Sequence, residues 1–525
     1  MPTDDPRVSS RWPTTQRARH VVTWILAILV GLPLAVSVVL HFWTTSDLWL
    51  DEALTVNIAG QPIHTLPALL RRDGAPPLFY TLLHFWMGWF GSSDFAVRAL
   101  PGVVSLVTIP VAWLAGRRLG GRVTAWSACL LVTTSPFAIR YSTETRMYSL
   151  MVLLTGLGFL ALARVLEHPR VGNFIALSIV TGSLLYTHYW SLYLVAGTAA
   201  WLGFNVARRR RRAYPGTRTG LVALAVGCLT FIPWIPVLLY QSRHTGTPWA
   251  GRPGARAIVN AFSSMGGGTI PGGHVLAGIL IVLCVVGSVA AHVERRPFKV
   301  VLATRPRGRS LAFVVVVTLV MAVSAGYLTD SAYDGRYVSI VFLPYILLAS
   351  FGLCTIHGRW VRTGVLALAV AIGLGGSLTG VTMQRTQAGQ IARALQLHAR
   401  PGDIIAYCPD QLGPAVSRLL PMGRFTQVTF PRGIGPEFVN WVDYARTVAA
   451  GSPEGFAQKL KAIADGRRQI FYVWQPGYGT FGTKCEGILQ DLQSDPAFHS
   501  HSLVGVTVEH FFEPMWLVRF APISR

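Results

Sequence analysis

VVTWILAILVGLPLAVSVVLHFWTTSDLWLDEALTV, residues 21–56, joins a long apolar run to two adjacent carboxylates, Asp51 and Glu52. A transmembrane helix needs about 20 apolar residues, and the run from Val21 to Leu40 has that length. No small-residue cleavage site follows the run, so a signal peptide is not predicted. The stretch therefore predicts a first transmembrane helix that carries a carboxylate pair at its far end.

The composition indicates that much of the surface of the chain faces lipid. Only 13% of the 525 residues are charged and the mean hydropathy is +0.44, whereas soluble domains carry about 25% charged residues. These values exclude an ordinary soluble protein. They predict an α-helical polytopic membrane protein, with membrane lipids as its surroundings.

Apolar runs recur as far as residue 381 and predict eleven crossings. They lie at about 21–42, 95–116, 123–138, 147–163, 172–187, 190–206, 219–240, 273–292, 310–328, 337–356 and 363–381. The transmembrane module then covers 21–383, after a tail at 1–20 and with a first outer loop at 43–94. Segment Pro77–Phe90 is apolar but too short for an ordinary span, and we interpret it as a helix at the outer interface. The alternative is a broken or tilted crossing at this segment, which would raise the total to twelve or thirteen crossings.

The basic residues are concentrated on one side of this topology. The connecting segments on the same side of the membrane as the N-terminus hold 23 Lys and Arg residues and four acids. The segments on the opposite side, up to residue 383, hold nine Lys and Arg residues and eight acids. The positive-inside rule then places the N-terminus in the cytoplasm, for a protein of the plasma (inner) membrane. The run Arg208–Arg212 is interpreted as part of this topology signal. No aromatic residues alternate with these arginines, so nucleic acid is not predicted as a partner.

Residues 384–525 are less apolar and predict an α/β domain outside the cytoplasm. Strand-like runs at 403–408, 470–474 and 515–520 alternate with helical stretches at 386–398 and 453–465. Cys408 and Cys485 lie in this domain, where an extracytoplasmic location would allow them to pair. The sequence leaves that pairing open. The other four cysteines lie in apolar runs.

Asp51 and Glu52 are expected to have different roles, because consecutive helical residues point about 100° apart. One carboxylate would face a reacting group as a general base, and the other would hold a partner or the helix. The alternative is a solvated pair that only caps a helix.

Further polar residues lie at predicted outer helix ends. They are Asp73, His84, Arg98, Arg140, Glu144, Arg146, Tyr148, His188, Arg336 and Tyr337. Arg140, Glu144 and Tyr148 are spaced i, i+4, i+8, which predicts one shared helical face. Arg146 lies on another face, where its guanidinium fork could bind phosphate. Simpler roles remain open: Asp73 could cap the helix that the double proline starts, and each histidine could make a structural hydrogen bond.

The candidates share one predicted depth, whereas the helix centres hold almost no charge. A transporter that moves ions would need ionisable residues near the midplane. The pattern favours chemistry on a lipid headgroup at the outer interface. The two alternative classes are a non-enzymatic transporter or flippase of lipid-linked glycans, and a sensor anchored by its helices.

Several of these stretches, in this order, resemble the protein-mannosyltransferase-like branch (glycosyltransferase family 39, actinobacterial type) of the GT-C membrane glycosyltransferases. The resemblance covers about 20–360. It depends on LWLDEALTV at 48–56, DGAPPLFYTLLH at 73–84, FAVRALPG at 95–102, RYSTETRMYSL at 140–150, YTHYW at 186–190 and DGRY at 334–337. Ala75 stands where many relatives have a histidine before the double proline, so no role is carried over to that position.

The resemblance implies a GT-C fold and transfer of a sugar from a polyprenyl-phosphate donor, usually with inversion. Asp51 would be the general base, and Glu52 its support. Mannose and arabinose are the expected sugars, and a protein, polysaccharide or glycolipid hydroxyl is the expected acceptor. Arg146 and Arg336 are the first candidates for stabilising the departing phosphate, with Arg140 and Arg98 next. No cofactor is required. A divalent cation, if bound, would use Asp51, Glu52, Asp73 and His188.

Overall fold

The computed structural model describes residues 31–208, 215–246, 253–295, 298–302, 306–329, 333–356, 358–505 and 511–523. The predicted tail at 1–20, the first half of the first crossing and most of the run Arg208–Arg212 lie outside these ranges. The described chain forms a helical bundle followed by a small α/β domain.

The bundle contains a helix at each predicted crossing. These helices are α1 (Gly31–Leu40, the described part), α5 (Asp94–Gly120), α6 (Arg122–Thr133), α8 (Tyr148–Glu167), α9 (Val171–Thr187), α10 (Ser191–Ala207), α11 and α12 (Thr217–Leu229 and Ile235–His244), α14 (Gly273–Val289), α15 (Pro306–Thr329), α16 (Ser339–Leu353) and α17 (Arg359–Thr382). Within the described residues, six spans are long and apolar enough to cross a membrane by length and composition. The number of crossings stays a prediction.

Short elements connect the long helices. They are α2 (Leu50–Ala59), α3 (Leu66–Asp73), α4 (Leu78–Phe90), α7 (Pro136–Ser142), α13 (Arg256–Met265), and the antiparallel strands β1 (Ala290–Arg295) and β2 (Phe298–Leu302). The β1–β2 hairpin begins at the end of the predicted crossing 273–292, continues into the segment that follows it, and was not predicted.

The first outer loop consists of α2, α3 and α4. Helix α4 has 13 residues and is therefore about 20 Å long, shorter than the hydrocarbon core of about 30 Å. This length supports the interpretation of Pro77–Phe90 as a short helix. The alternative in which Asp73 caps this helix is excluded, because Asp73 is the last residue of α3. Gly74 follows it with φ +93°, a backbone conformation that glycine adopts without strain.

The predicted helical face of Arg140, Glu144 and Tyr148 is also wrong. Helix α7 ends at Ser142 and α8 begins at Tyr148. The Thr143 carbonyl accepts a hydrogen bond from Arg385 Nη1 at 2.6 Å, so a distant side chain uses the acceptor that a continuing helix would need. Residues 143–147 therefore form a turn, and Arg140 and Tyr148 lie on different helices.

The α/β domain is built on a mixed five-stranded sheet with the order β4-β3-β5-β7-β6. Its elements are α18 (Ala388–His398), β3 (Ile404–Cys408), α19 (Gly413–Ser417), β4 (Thr426–Thr429), α20 (Tyr444–Ala450), α21 (Pro453–Ala464), β5 (Ile470–Trp474), α22 (Lys484–Gln493), β6 (Phe498–Val504) and β7 (Trp516–Pro522). Strands β3, β4 and β5 are parallel, and β7 is antiparallel to β5 and β6. The α/β prediction is confirmed, although β4 and β6 were missed. The Sγ atoms of Cys408 and Cys485 are 2.04 Å apart and form a disulfide.

Glycines let α14 and α16 approach closely. A Cβ atom on Gly352 would lie 1.8 Å from the Leu283 carbonyl oxygen, and one on Gly287 would lie 2.7 Å from that of Leu348. Small residues commonly permit such contacts between membrane helices. Helix α16 is buried along most of its length, so its position depends on this contact.

We predict that Gly352→Ala destabilises the bundle, because the new methyl group would overlap backbone atoms of α14. Overpacking typically costs about 1–3 kcal/mol. Thermal unfolding of the detergent-purified protein measures the effect. The matched control is Gly364→Ala on α17, where a Cβ atom meets nothing within 4 Å. Equal melting temperatures for the two variants would contradict the packing described above.

Candidate active site

A cavity of about 350 Å³ lies where the first outer loop, the bundle and the α/β domain meet. Its lining residues come from all three parts of the molecule. They are Trp49, Leu50, Asp51, Leu54, Asp73, Gly74, Ala75, Pro76, Arg146, Met147, His188, Tyr189, Thr245, Gly246, Asp334, Arg336, Tyr337, Trp441, Tyr478, Gly479 and Phe512. Six of the predicted site residues are among them: Asp51, Asp73, Arg146, His188, Arg336 and Tyr337.

Asp51 lies in the first turn of α2 and contacts two arginines. Its Oδ2 atom accepts a hydrogen bond from Arg336 Nη1 at 2.6 Å and lies 3.9 Å from Arg146 Nε. These guanidinium groups come from the turn before α8 and the 3-10 turn Gly335–Val338 before α16. Asp334 also pairs with Arg336, at 3.3 Å between Oδ2 and Nε. The cavity therefore holds a partly exposed carboxylate beside two cations.

Glu52 points the other way and is fully buried in an ion pair. Arg98 donates to both carboxylate oxygens of Glu52, from Nε at 2.8 Å and Nη2 at 2.6 Å. The Thr145 amide donates to Oε1 at 2.9 Å. Burial alone would raise the pKa of Glu52, but the Arg98 charge and these hydrogen bonds lower it to about 2. Glu52 is therefore ionised and fixes α2 to α5.

Arg385 is a buried contact that the sequence analysis missed. Its Nη1 atom lies 3.5 Å from Glu52 Oε2, and its guanidinium also donates twice to Thr143. Its backbone amide donates to Ser46 Oγ at 2.8 Å. Burial is the main cause that lowers the pKa of Arg385, to about 9. Arg385 lies in an otherwise unremarkable linker after the last crossing, so no motif or periodicity marks it.

Asp73 and Arg146 are joined by Tyr80. The Tyr80 hydroxyl donates to Asp73 Oδ2 at 2.7 Å and lies 3.1 Å from Arg146 Nη1. Arg146 Nη1 also donates to Thr55 Oγ1 at 2.8 Å. Burial raises the pKa of Asp73 above its usual value. This network holds the Arg146 guanidinium in the cavity wall, and Tyr80 is a member that the sequence analysis did not name.

His188 lies between two tyrosines at the end of α9. Its ring centroid is 5.1 Å from that of Tyr337 and 6.3 Å from that of Tyr148. Burial, followed by the charges of Arg146 and Arg336, lowers the pKa of His188 to about 3. The Trp190 amide donates to Nδ1 at 3.2 Å, so the ring is neutral and its proton is on Nε2.

Other predicted site residues lie outside the cavity. His84 Nδ1 is 2.7 Å from the Ala59 carbonyl, and Arg140 pairs with Glu144 at 3.1 Å. Glu52, Arg98 and Tyr148 are buried behind the cavity wall. Since Glu52 pairs with Arg98, the four candidate metal ligands do not assemble. In the described part of the chain, no three His, Cys, Asp or Glu side chains form a metal-ligating group.

The α/β domain supplies one side of the cavity, which the sequence analysis did not anticipate. Trp441, Tyr478 and Phe512 line it. The backbone amide of the neighbouring Glu513 donates to the Arg385 carbonyl at 2.8 Å, and the side chain of Asn57 on α2 donates to the Glu437 carbonyl at 2.8 Å. Burial raises the pKa of Glu513 to about 8, so this acid is mostly protonated at neutral pH. The domain therefore contacts the helix that carries Asp51.

A family model described as dolichyl-phosphate-mannose-protein mannosyltransferase matches residues 74–236. The matched range includes Arg98, Arg146 and His188 but neither Asp51 nor Arg336. No curated protein sequence matches the chain.

Solved structures share the architecture at low sequence identity. The chain is similar to ArnT from Cupriavidus metallidurans bound to undecaprenyl phosphate, with a TM-score of 0.56 and 13% identity over 95% of this chain and 98% of that one. It is similar to the Archaeoglobus fulgidus oligosaccharyltransferase in complex with Zn and sulfate, with a TM-score of 0.53 and 11% identity over 91% of this chain and 72% of that one. For a form of that enzyme tethered with an acceptor peptide, the TM-score is 0.51 and the identity 11%, over 91% of this chain and 73% of that one.

The class follows from these findings: the chain is a multi-pass membrane protein with the fold of the GT-C glycosyltransferases. Within that class, residues 74–236 carry the pattern of the protein-mannosyltransferase family. The predicted resemblance is confirmed over residues 74–236, and the fold class predicted from the sequence is confirmed. The actinobacterial type, the plasma membrane location and the orientation of the termini stay predictions.

We predict that Arg98→Met strongly destabilises the protein, because it leaves the Glu52 charge buried without its main partner. Breaking a buried ion pair typically costs about 3–5 kcal/mol. Thermal unfolding in detergent measures this loss. The control is Arg118→Met, which breaks the exposed pair with Glu167 and should cost only about 0–1 kcal/mol.

The same ion pair predicts a pH dependence. The pKa of Glu52 is lowered from 4.5 to about 2. The stability that the ionised Glu52 contributes is therefore fully present above pH 4.5 and is lost as the pH falls toward 2.

If Arg98→Met and Arg118→Met unfolded at the same temperature, the central role given to the pair of Glu52 and Arg98 would be wrong.

Proposed function

We propose that this protein is a membrane glycosyltransferase that moves a sugar from a polyprenyl-phosphate donor to an acceptor hydroxyl. One observation carries the proposal: Asp51 shares a cavity at the end of the bundle with two guanidinium groups, from Arg146 and Arg336. Transfer from a phosphate-linked sugar needs a base for the acceptor and positive charge for the leaving group. The arrangement provides both.

In the proposed reaction, the acceptor oxygen attacks the anomeric carbon of the donor sugar. A bond forms between these atoms while the bond from the anomeric carbon to the phosphate oxygen breaks. Asp51 takes the hydroxyl proton, and the lipid phosphate leaves with the electron pair. A single attack from the face opposite the phosphate inverts the anomeric carbon. A phosphate leaves readily, so a general acid is not required.

Negative charge grows on the departing phosphate, and fixed cations stabilise such charge because they are oriented before the reaction. Arg146 suits this role because Tyr80 and Thr55 already hold its guanidinium. Arg336 suits it because its guanidinium can bind phosphate oxygens with two parallel hydrogen bonds. The neutral His188 ring would offer an Nε2–H donor rather than a charge.

The nature of the substrates is supported by the relatives. The description of the matching family model names dolichyl-phosphate-mannose, and the ArnT structure holds undecaprenyl phosphate. We propose a polyprenyl-phosphate hexose or pentose as donor, with mannose and arabinose as the first candidates. The reaction would take place on the outer face of a plasma membrane.

We predict that Asp51→Asn lowers sugar transfer by at least about 10²-fold, since general base catalysis typically contributes 10²–10⁴-fold. The assay measures transfer from polyprenyl-phosphate mannose or arabinose in proteoliposomes. Asp94→Asn is the control, because Asp94 begins α5 and pairs with Arg418 away from the cavity. Near-normal transfer by the folded Asp51→Asn protein would exclude its role as the base.

We predict that Arg146→Gln and Arg336→Gln each weaken binding of polyprenyl phosphate by about tenfold or more, as expected for loss of a charge-assisted hydrogen bond. Binding is measured with a short-chain polyprenyl phosphate and the protein in nanodiscs. The control is Arg71→Gln, which removes an exposed arginine that stacks on Tyr240 outside the cavity. Unchanged affinity in both cavity variants would contradict the phosphate assignment.

A further inference from the structure

We propose that the acceptor is a carbohydrate, and that the α/β domain binds it with an aromatic wall facing Asp51. The wall consists of Trp441, Tyr478 and Phe512 from the α/β domain and Trp49 from the first outer loop. This inference rests on the glycosyltransferase proposed above and names the class of its acceptor.

The wall is fixed to the first outer loop and to α12 by several contacts. The Trp441 amide donates to the Arg72 carbonyl at 3.2 Å, and the Asp443 amide donates to the His244 carbonyl at 2.8 Å. Asn57 on α2 donates from its side chain to the Glu437 carbonyl at 2.8 Å. Trp441 is only 9% exposed, so its ring has a defined position. A binding surface held in this way loses little conformational freedom when a ligand binds.

Trp49 and Phe512 form a second part of the wall. Their rings make an edge-to-face contact with centroids 4.9 Å apart, and Phe512 is 63% exposed. The Trp49 indole is 5% exposed, and its Nε1 atom has no hydrogen-bond partner among the described residues. A buried N–H group without a partner is costly, and a ligand oxygen would satisfy it.

These side chains match the two kinds of surface on a sugar. The C–H face of a pyranose packs on aromatic rings, because its slightly positive hydrogens meet the negative ring face. Its hydroxyl groups donate to carboxylates, which Asp51, Asp73 and Asp334 provide in the same cavity. The cavity volume of about 350 Å³ lies within the range of about 300–1,000 Å³ found for small-molecule sites.

A peptide acceptor fits the wall less well. Extended peptides commonly bind by pairing with an exposed strand edge. None of the residues that line the cavity belongs to a strand in the described structure, since Trp441, Tyr478 and Phe512 all lie in loops. The wall therefore offers ring faces and carboxylates rather than a ladder of backbone groups.

The experiment compares acceptors by direct binding. Protein in nanodiscs, saturated with polyprenyl phosphate, is applied to an array of neutral hexose and pentose oligosaccharides and to an array of Ser/Thr peptides. We expect at least one oligosaccharide to bind and the peptides not to bind. Trp441→Ala and Tyr478→Leu should each weaken binding of the oligosaccharide by about tenfold, as expected for loss of an aromatic contact. Trp441→Phe should retain most of the affinity.

The control is Trp360→Ala, which removes a ring that is 72% exposed at the start of α17. Binding of peptides alone, binding of no oligosaccharide, or equal affinities for Trp441→Ala and Trp360→Ala would each overturn the inference. Polyprenyl phosphate binding is measured in the same preparations. Its loss in Arg146→Gln and Arg336→Gln tests the proposed transfer reaction separately, so failure of the acceptor assignment alone is recognisable.

Discussion

The buried pair of Glu52 and Arg98 is the interaction on which the site depends. Two charges removed from water are tolerated only when each is paired and hydrogen-bonded, and Glu52 has contacts with Arg98, Thr145 and Arg385. These partners come from α5, from the turn before α8 and from the linker to the α/β domain. One carboxylate thus sets the relative positions of four segments that are distant in the sequence.

Fixing Glu52 also fixes Asp51, because the two residues are adjacent in the first turn of α2. With Glu52 turned into the protein, Asp51 must point toward the cavity and its two arginines. The two members of the acid pair therefore have different surroundings: Glu52 is ionised and buried in an ion pair, and Asp51 is partly exposed at the cavity. The division follows from helical geometry and needs no special backbone.

The sequence was informative where a single segment determines the outcome. The apolar runs predicted the helices, the 100° rotation between Asp51 and Glu52 predicted their different surroundings, and the strand-like runs predicted the α/β domain. Contacts between distant segments were not predictable. The prediction of one face for Arg140 and Tyr148 failed because the chain turns between α7 and α8, where Arg385, about 240 residues later in the chain, donates to the Thr143 carbonyl. The cavity wall from Trp441 was missed because loop residues carry no periodicity that would indicate where they dock.

The hydrogen bond from Arg336 to Asp51 has a kinetic consequence for the proposed enzyme. While it is in place, the base is occupied by the cation that the donor phosphate would bind. Arrival of the phosphate at Arg336 would free the carboxylate for the acceptor hydroxyl. Substrate addition would then be ordered, with the lipid donor first, because an acceptor that arrived early would find the carboxylate still paired with Arg336.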